Sequence, residues 1–364
     1  MEIFENSTSA KESFPKIIFG KIKNDEVFLL PENYASKIFA SKDIFSASET
    51  NKDKIDILEQ NIWEISPNLL NLLLKDKTTG KNIKWACDEY AKYGKAYTAE
   101  KEILAKQIIG RQTKIIQPRI SKSKDEQKNR TQKAAEVFTP SWICNEMNNH
   151  CDEEWFGRKD VFNTPNGHDW TVNKEPIQFD KDGKKTWKKY VDSKRLEITC
   201  GEAPYLVSRY DTTTGAFLSI EKRIGILDRK LRIVNENTTD EKEWFKWTRR
   251  AFEATYGYEY QGDNLLLARE NLLWTFVDYF YYRHRKQPAI AQMKQIANII
   301  VWNIWQMDGL KDSVPFGDVE KNPDQLELFN DLPKVLVPTL CKIRDWRSER
   351  TLYFQDLKGD KHEV

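Results

Sequence analysis

Three carboxylates stand where apolar runs break off. Glu197 lies in Leu196-Glu197-Ile198-Thr199-Cys200-Gly201-Glu202-Ala203. Glu259 closes Tyr256-Gly257-Tyr258-Glu259, and Asp308 follows Asn303-Ile304-Trp305-Gln306-Met307. An acid ending a strand can accept both hydroxyls of a ribose, and a small-residue turn lets backbone approach a ligand. A carboxylate can also accept from the exocyclic amine of a base. Each feature alone is an ordinary polar strand end. Their order carries more, because successive strand ends of a parallel sheet open on one edge, where ligands bind.

The elements that must position these residues follow from the pattern. Leu196–Cys200 and Thr255–Tyr260 read as strands, Leu265–Phe276 and Met293–Ile300 as helices, and Val301–Met307 as a third strand. Strand and helix in alternation specify a parallel α/β sheet. Upstream, Ile55–Leu74, Lys81–Ala91 and Tyr97–Ile109 have helical spacing, so residues 1–110 read as a mainly helical N-terminal region. Residues 157–192 read as irregular loops or a small hairpin.

Charge marks a further segment. Between Lys101 and Lys133 ten basic residues face three acidic ones, a net +7 where the whole chain carries +2. Two readings stand: a solvated connector over 111–136, or phosphate contact through Arg111, Arg119, Lys122, Lys124, Lys128 and Arg130. The 364 residues have no apolar run long enough to span a bilayer, which needs roughly 18 residues. No basic-then-apolar leader stands at the amino terminus. Five cysteines at unrelated spacings imply no disulfide framework and a cytoplasmic setting. His150 beside Cys144 and Cys151 is the one grouping with a metal reading, set against buried thiols.

With these segments in order, the chain resembles the amino-type DNA methyltransferases of bacterial restriction–modification systems. It is most similar to adenine-N6 methyltransferase (M) subunits and fused restriction–methylation enzymes. Phe138-Thr139-Pro140 matches a segment that precedes the family's first strand. Glu197, Cys200, Gly201, Tyr205 and Leu206 match its first motif, from which Ile198, Glu202 and Ala203 depart. Gly257, Glu259, Ala268, Arg269, Asn271 and Leu272 match the second, and Asn303, Ile304, Asp308 and Leu310 the third. Together they span residues 137–310.

The resemblance implies a Rossmann-like sheet over 137–364 that binds S-adenosylmethionine. Phe138, Thr139 and Pro140 would pack near the methionine end. Glu197 and Gly201, with Cys200 and Glu202 in the same motif, would face the amino acid part. Glu259 would hold the ribose and Asp308 the adenine amine. Two departures accompany it. About 207–254 form an insertion, whose basic residues at 223–230 would reach DNA or cap a helix. The family's Asn-Pro-Pro-Tyr loop, which holds a flipped base, has no counterpart; Val314-Pro315-Phe316 and Asn322-Pro323-Asp324 are poor matches. The expectation is thus the front part of an enzyme acting on double-stranded DNA. Its catalytic loop and target-recognition domain would lie on a second polypeptide or a missing segment, and a restriction subunit is another expected partner. The alternative is a non-catalytic DNA-binding or scaffold subunit with a degenerate cofactor pocket. Nuclease activity in the N-terminal region lacks a carboxylate–lysine constellation.

Overall fold

Apolar strand residues shielded on both sides need cover on two faces, and the chain supplies two different covers. The computed structural model describes residues 20–22, 25–27, 29–30, 59–134, 136, 139–180, 183–321 and 335–358. Its strands are β1 (Gly20–Ile22), β2 (Asp25–Val27), β3 (Leu29–Leu30), β4 (Asn163–Asn166), β5 (Asp169–Val172), β6 (Arg195–Glu197), β7 (Thr255–Glu259), β8 (Ile304–Gln306), β9 (Val319–Lys321), β10 (Val335–Val337), β11 (Lys342–Asp345) and β12 (Arg350–Tyr353). Its α-helices are α1 (Glu59–Ile65), α2 (Pro67–Leu73), α3 (Lys124–Ala134), α4 (Ser141–Phe156), α5 (Trp187–Val191), α6 (Ile226–Asn237), α7 (Glu241–Glu253), α8 (Gly262–His284) and α9 (Ile290–Asn303).

The fold is mixed α/β around a parallel sheet of order β3-β6-β7-β8. Glu197 pairs with Gly257, and Glu259 with Gln306. On one face Ile304 joins the large core of α8 and α9, including Leu265, Leu272, Phe276, Ile296 and Ile300. On the other face Leu196, Tyr256, Tyr258, Trp305 and Met307 meet Cys341, Ile343 and Phe354. The β11–β12 hairpin therefore folds back as a lid on the sheet, with Phe354 5.2 Å from Trp305 and 5.8 Å from Tyr258 between ring centroids. Among the described residues no helix is long and apolar enough to cross a membrane.

Several expectations are corrected. The helix α9 continues through Asn303, so the third strand is only Ile304–Gln306. Lys81–Ala91 and Tyr97–Ile109 are not α-helices but irregular backbone with short 3-10 turns. Their apolar residues reach the core differently. Ile83 N donates to Leu74 O (2.8 Å), Trp85 N to Lys101 O (3.0 Å) and Ile103 N to Ile83 O (2.8 Å). Ile83, Trp85 and Ile103 thereby share one core with α2 and α8. The insertion is framework too: α6 and α7 bury Leu231, Val234, Trp244 and Phe252. The basic residues at 223–230, expected to reach DNA or cap a helix, are engaged internally. Arg223 pairs with Asp278 (2.6 Å), Arg229 with Asp152, and Lys230 donates to Ser193 O (2.6 Å) and Ala254 O (2.9 Å). Residues 157–192 do include a hairpin, β4–β5.

The start of α8 is fixed by a close approach. Gly262 N donates to Trp85 O (2.9 Å), and a Cβ on Gly262 would lie 1.9 Å from Lys84 O. A backbone neighbour cannot swing away as a flexible side chain does. Gly262→Ala is expected to cost ~2–3 kcal/mol by overpacking. That should lower the melting temperature by about 3–4 °C in thermal unfolding followed by circular dichroism; an unchanged midpoint would show that the 84–85 segment does not pin this helix.

Candidate cofactor site

The turn after β6 is tightly wound. Thr199, Gly201 and Ala203 all have left-handed backbone, with φ of 44°, 51° and 62°. Such conformations cost roughly 1–2 kcal/mol for a residue with a side chain. Neighbouring elements hold them in place. Cys200 N donates to Tyr258 O (2.8 Å), and Asn271 Nδ2 on α8 donates to Glu202 O (3.0 Å). Gly257 gives the turn room, since a Cβ there would stand 3.2 Å from Cys200 Sγ. The register then brings the turn to the end of β7. Gly201 N donates to Glu259 Oε2 (2.8 Å), and Gln261 N donates to Glu259 Oε1 (3.0 Å).

Burial sets the charge state of this edge. It pushes the Glu259 carboxyl up to about 7, against the opposing backbone hydrogen bonds from Gln261 and Gly201. Burial likewise pushes Glu202 up to about 7, although Arg119 N (2.7 Å) and Tyr210 Oη (3.0 Å) donate to it. Asp263 behaves oppositely. Burial works against its charge, but Arg130 and Lys122 outweigh burial and hold it well below the usual carboxylate range. One carboxylate is thus firmly ionised beside two that titrate near neutrality.

The basic segment packs on this same edge. Arg130 donates from Nε to Glu136 Oε2 (2.6 Å) and from Nη1 to Asp263 Oδ2 (2.8 Å). Its Nη2 donates to Gln261 Oε1, Asp263 Oδ1 (3.2 Å) and Asn264 Oδ1 (3.3 Å). Lys122 Nζ lies 3.1 Å from Asp263 Oδ2, and Arg119 bonds Glu136 O, Gln127 O (3.0 Å) and Thr131 Oγ1. The phosphate role expected of Arg119, Lys122 and Arg130 is corrected accordingly: internal acceptors already engage all three. Arg111, Lys124 and Lys128 are exposed.

The remaining expected residues are placed as follows. Asp308 lies two residues past Gln306, the partner of Glu259, and its Oδ1 accepts from Leu310 N (3.0 Å). Thr139 O accepts from Thr212 Oγ1 (2.9 Å), and Pro140 precedes α4, whose Ser141 N donates to Asp211 Oδ2 (3.0 Å). Phe138 lies outside the described residues, as does Asn322-Pro323-Asp324. Glu197 is fully buried in β6, close enough to Cys144 and Cys200 for its charge to help burial raise both thiols. All five cysteines are free. Cys144 and Cys151 face the core while His150 is exposed, so they do not converge. Val314 and Phe316 line a separate cleft of about 730 Å³ with Lys81, Lys84 and Thr339, whose lining includes neither Gly201 nor Glu259.

Sequence reasoning missed the Arg130–Asp263 hub and Tyr260. Tyr260 follows Glu259 directly, and its hydroxyl is raised by burial and then by Asp308, Asp88 and Cys87. The signal for Tyr260 was its place between two expected site acids. The polar set suits an adenosine: an acid with spare lone pairs at Glu259, a second acid at Asp308, and a ring at Tyr260 near that acid. Compared with protein-family models, with curated proteins and with solved structures, the chain matches none of them.

Proposed function

We propose that this chain is the S-adenosylmethionine-binding part of a site-specific adenine-N6 DNA methyltransferase, and that its sheet is Rossmann-like. The observation that carries the reading is the bond from Gly201 N to Glu259, with Asp308 just beyond the end of the neighbouring strand. When bound, the cofactor supplies an activated methyl group for direct transfer to an amine. Glu259 would accept from the ribose diol and Asp308 from the adenine amine, with the Tyr260 ring beside the base. The chain contributes positioning and electrostatics. The tetrad that holds a flipped adenine occurs nowhere in the 364 residues. Those acceptors therefore come from a second polypeptide or a further segment, with double-stranded DNA as substrate.

The test is equilibrium binding of S-adenosylmethionine, followed by tritiated methyl transfer to unmethylated DNA with and without the partner subunit. Binding alone and transfer only with the partner are expected. No binding at millimolar cofactor would sink the reading and favour a scaffold subunit. That both Glu259 oxygens already accept from backbone amides is the observation on that second side. Transfer by the isolated chain would overturn the assignment of the base-holding loop to a partner.

The exposed cations supply the DNA contact. Replacing Arg111, Lys124 and Lys128 together by alanine should flatten the log–log salt dependence of DNA binding by about 2–3, since each phosphate neutralised contributes ~0.9. An unchanged salt slope in fluorescence anisotropy would remove these residues from the interface.

A further inference from the structure

The helix α3 has almost no apolar surface to bury. Its sequence is Lys124-Asp125-Glu126-Gln127-Lys128-Asn129-Arg130-Thr131-Gln132-Lys133-Ala134, with one apolar residue in eleven. A surface helix is ordinarily held by an apolar stripe. Here the hold is ionic and concentrated at one side chain. Arg130 is 1% exposed and bonds Glu136, Asp263, Gln261 and Asn264. At the exposed start of the helix, Lys92 pairs with Glu126 at 3.1 Å.

The same segment shuts the edge that the proposed function needs open. Gln261, which accepts from Arg130, donates its own N–H to Glu259. Arg119 N donates to Glu202, beside Gly201. Glu259 is left 6% exposed and Asp263 wholly buried. A ligand the size of a nucleoside cannot reach Glu259 past this cover. Lifting residues 119–134 away would take Arg119, Lys122 and Arg130 together from Glu136 and Asp263, which is costly unless other cationic charge replaces them. S-adenosylmethionine carries a sulfonium and an ammonium, so it can make that exchange.

We propose that residues 119–134 are a latch over the cofactor site, pinned by Arg130 between Glu136 and Asp263, and released when the cationic cofactor takes its place. This rests on the cofactor reading above. It makes opening of α3 the step that admits S-adenosylmethionine.

Two variants of the whole chain test it. In Arg130→Gln, amide exchange in α3 should quicken at least about tenfold while α8 keeps its protection, as for local rather than global opening. Cofactor association in stopped flow should quicken by a similar factor. In Lys92→Cys/Glu126→Cys, a reversible bis-methanethiosulfonate spacer should clamp α3 without touching Arg130. Cofactor uptake should then fall at least about tenfold and return on reduction, with wild type as the control for native thiols. Unchanged α3 exchange in Arg130→Gln, or loss of α8 protection together with it, would overturn the latch. So would full uptake by the clamped protein. Release of α3 with no cofactor binding in any form would identify the cofactor reading as the failure, and would remove the gating role with it.

Discussion

Glu259→Ala is expected to weaken S-adenosylmethionine binding by about a hundredfold or more. Under the proposed function a ribose diol would donate two hydrogen bonds to this acid, and a hydrogen bond to a charged group contributes ~1.5–3 kcal/mol. Losing both exceeds the ~2.8 kcal/mol that corresponds to a hundredfold in Kd. The diol needs acceptors, so the ionised carboxylate is the binding form. Burial places that ionisation at about 7. Affinity should therefore rise about tenfold from pH 6 to pH 8 and then level off. Glu259→Gln, which cannot ionise, should bind weakly with no such slope. Stability carries the opposite sign. The folded carboxyl holds its proton up to about 7, while an unfolded glutamate releases it near ~4.3. Between those values the folded state binds more protons, so this group's contribution to stability falls as pH rises. Titration calorimetry at several pH values reads the affinity, and thermal unfolding reads the stability. Equal Kd for wild type and Glu259→Ala would remove Glu259 from the site.

Why this acid was visible in the sequence, and others were not, follows from range. Glu259 ends a run of apolar and aromatic residues after Gly257, and local alternation suffices to place it on a strand end. The turn at Cys200-Gly201 was visible for the same reason. The boundary at Val301–Asn303 was not. An Ile- and Val-rich run fits a buried helix and a buried strand equally, and helical packing against α2 and α7 decides between them. The stretch 81–109 shows another limit. Its spacing correctly reported burial of Ile83, Trp85 and Ile103, but irregular paired backbone buries residues as well as a helix does. The basic segment shows the sharpest one. Counting charge finds ten cations, yet Asp263 lies 133 residues from Arg130 in the chain. A partner that distant leaves no local trace. A buried cation and a phosphate-seeking one therefore look alike until the chain is folded.

The second large effect concerns Arg269, which stands with Asn271 and Leu272 in the second of the matched segments. Its side chain is wholly buried on α8, and burial pushes its guanidinium down to about 10. Nε donates to Ile304 O (2.8 Å), and Nη1 donates to Leu73 O and Lys75 O (2.9 Å). Leu73 ends α2, where main-chain carbonyls lack helical partners and concentrate negative potential. Arg269 thus ties α2 to β8 and so fixes the strand beyond which Asp308 sits. Asn271, two residues on and on the opposite side of α8, holds Glu202 O in the turn after β6. Both residues serve the site by positioning it rather than by touching a ligand. Arg269→Ala leaves three carbonyls without this donor, two of them buried, at a cost of about 3–5 kcal/mol. Such a loss corresponds to a melting temperature lower by roughly 4–7 °C in a chain of this size. Arg269→Lys should recover only part of it, because one ammonium cannot span acceptors that a planar fork reaches together. A melting temperature within a degree or two of wild type for Arg269→Ala would show that these carbonyls find other donors, and that α2 and β8 are joined by apolar packing alone.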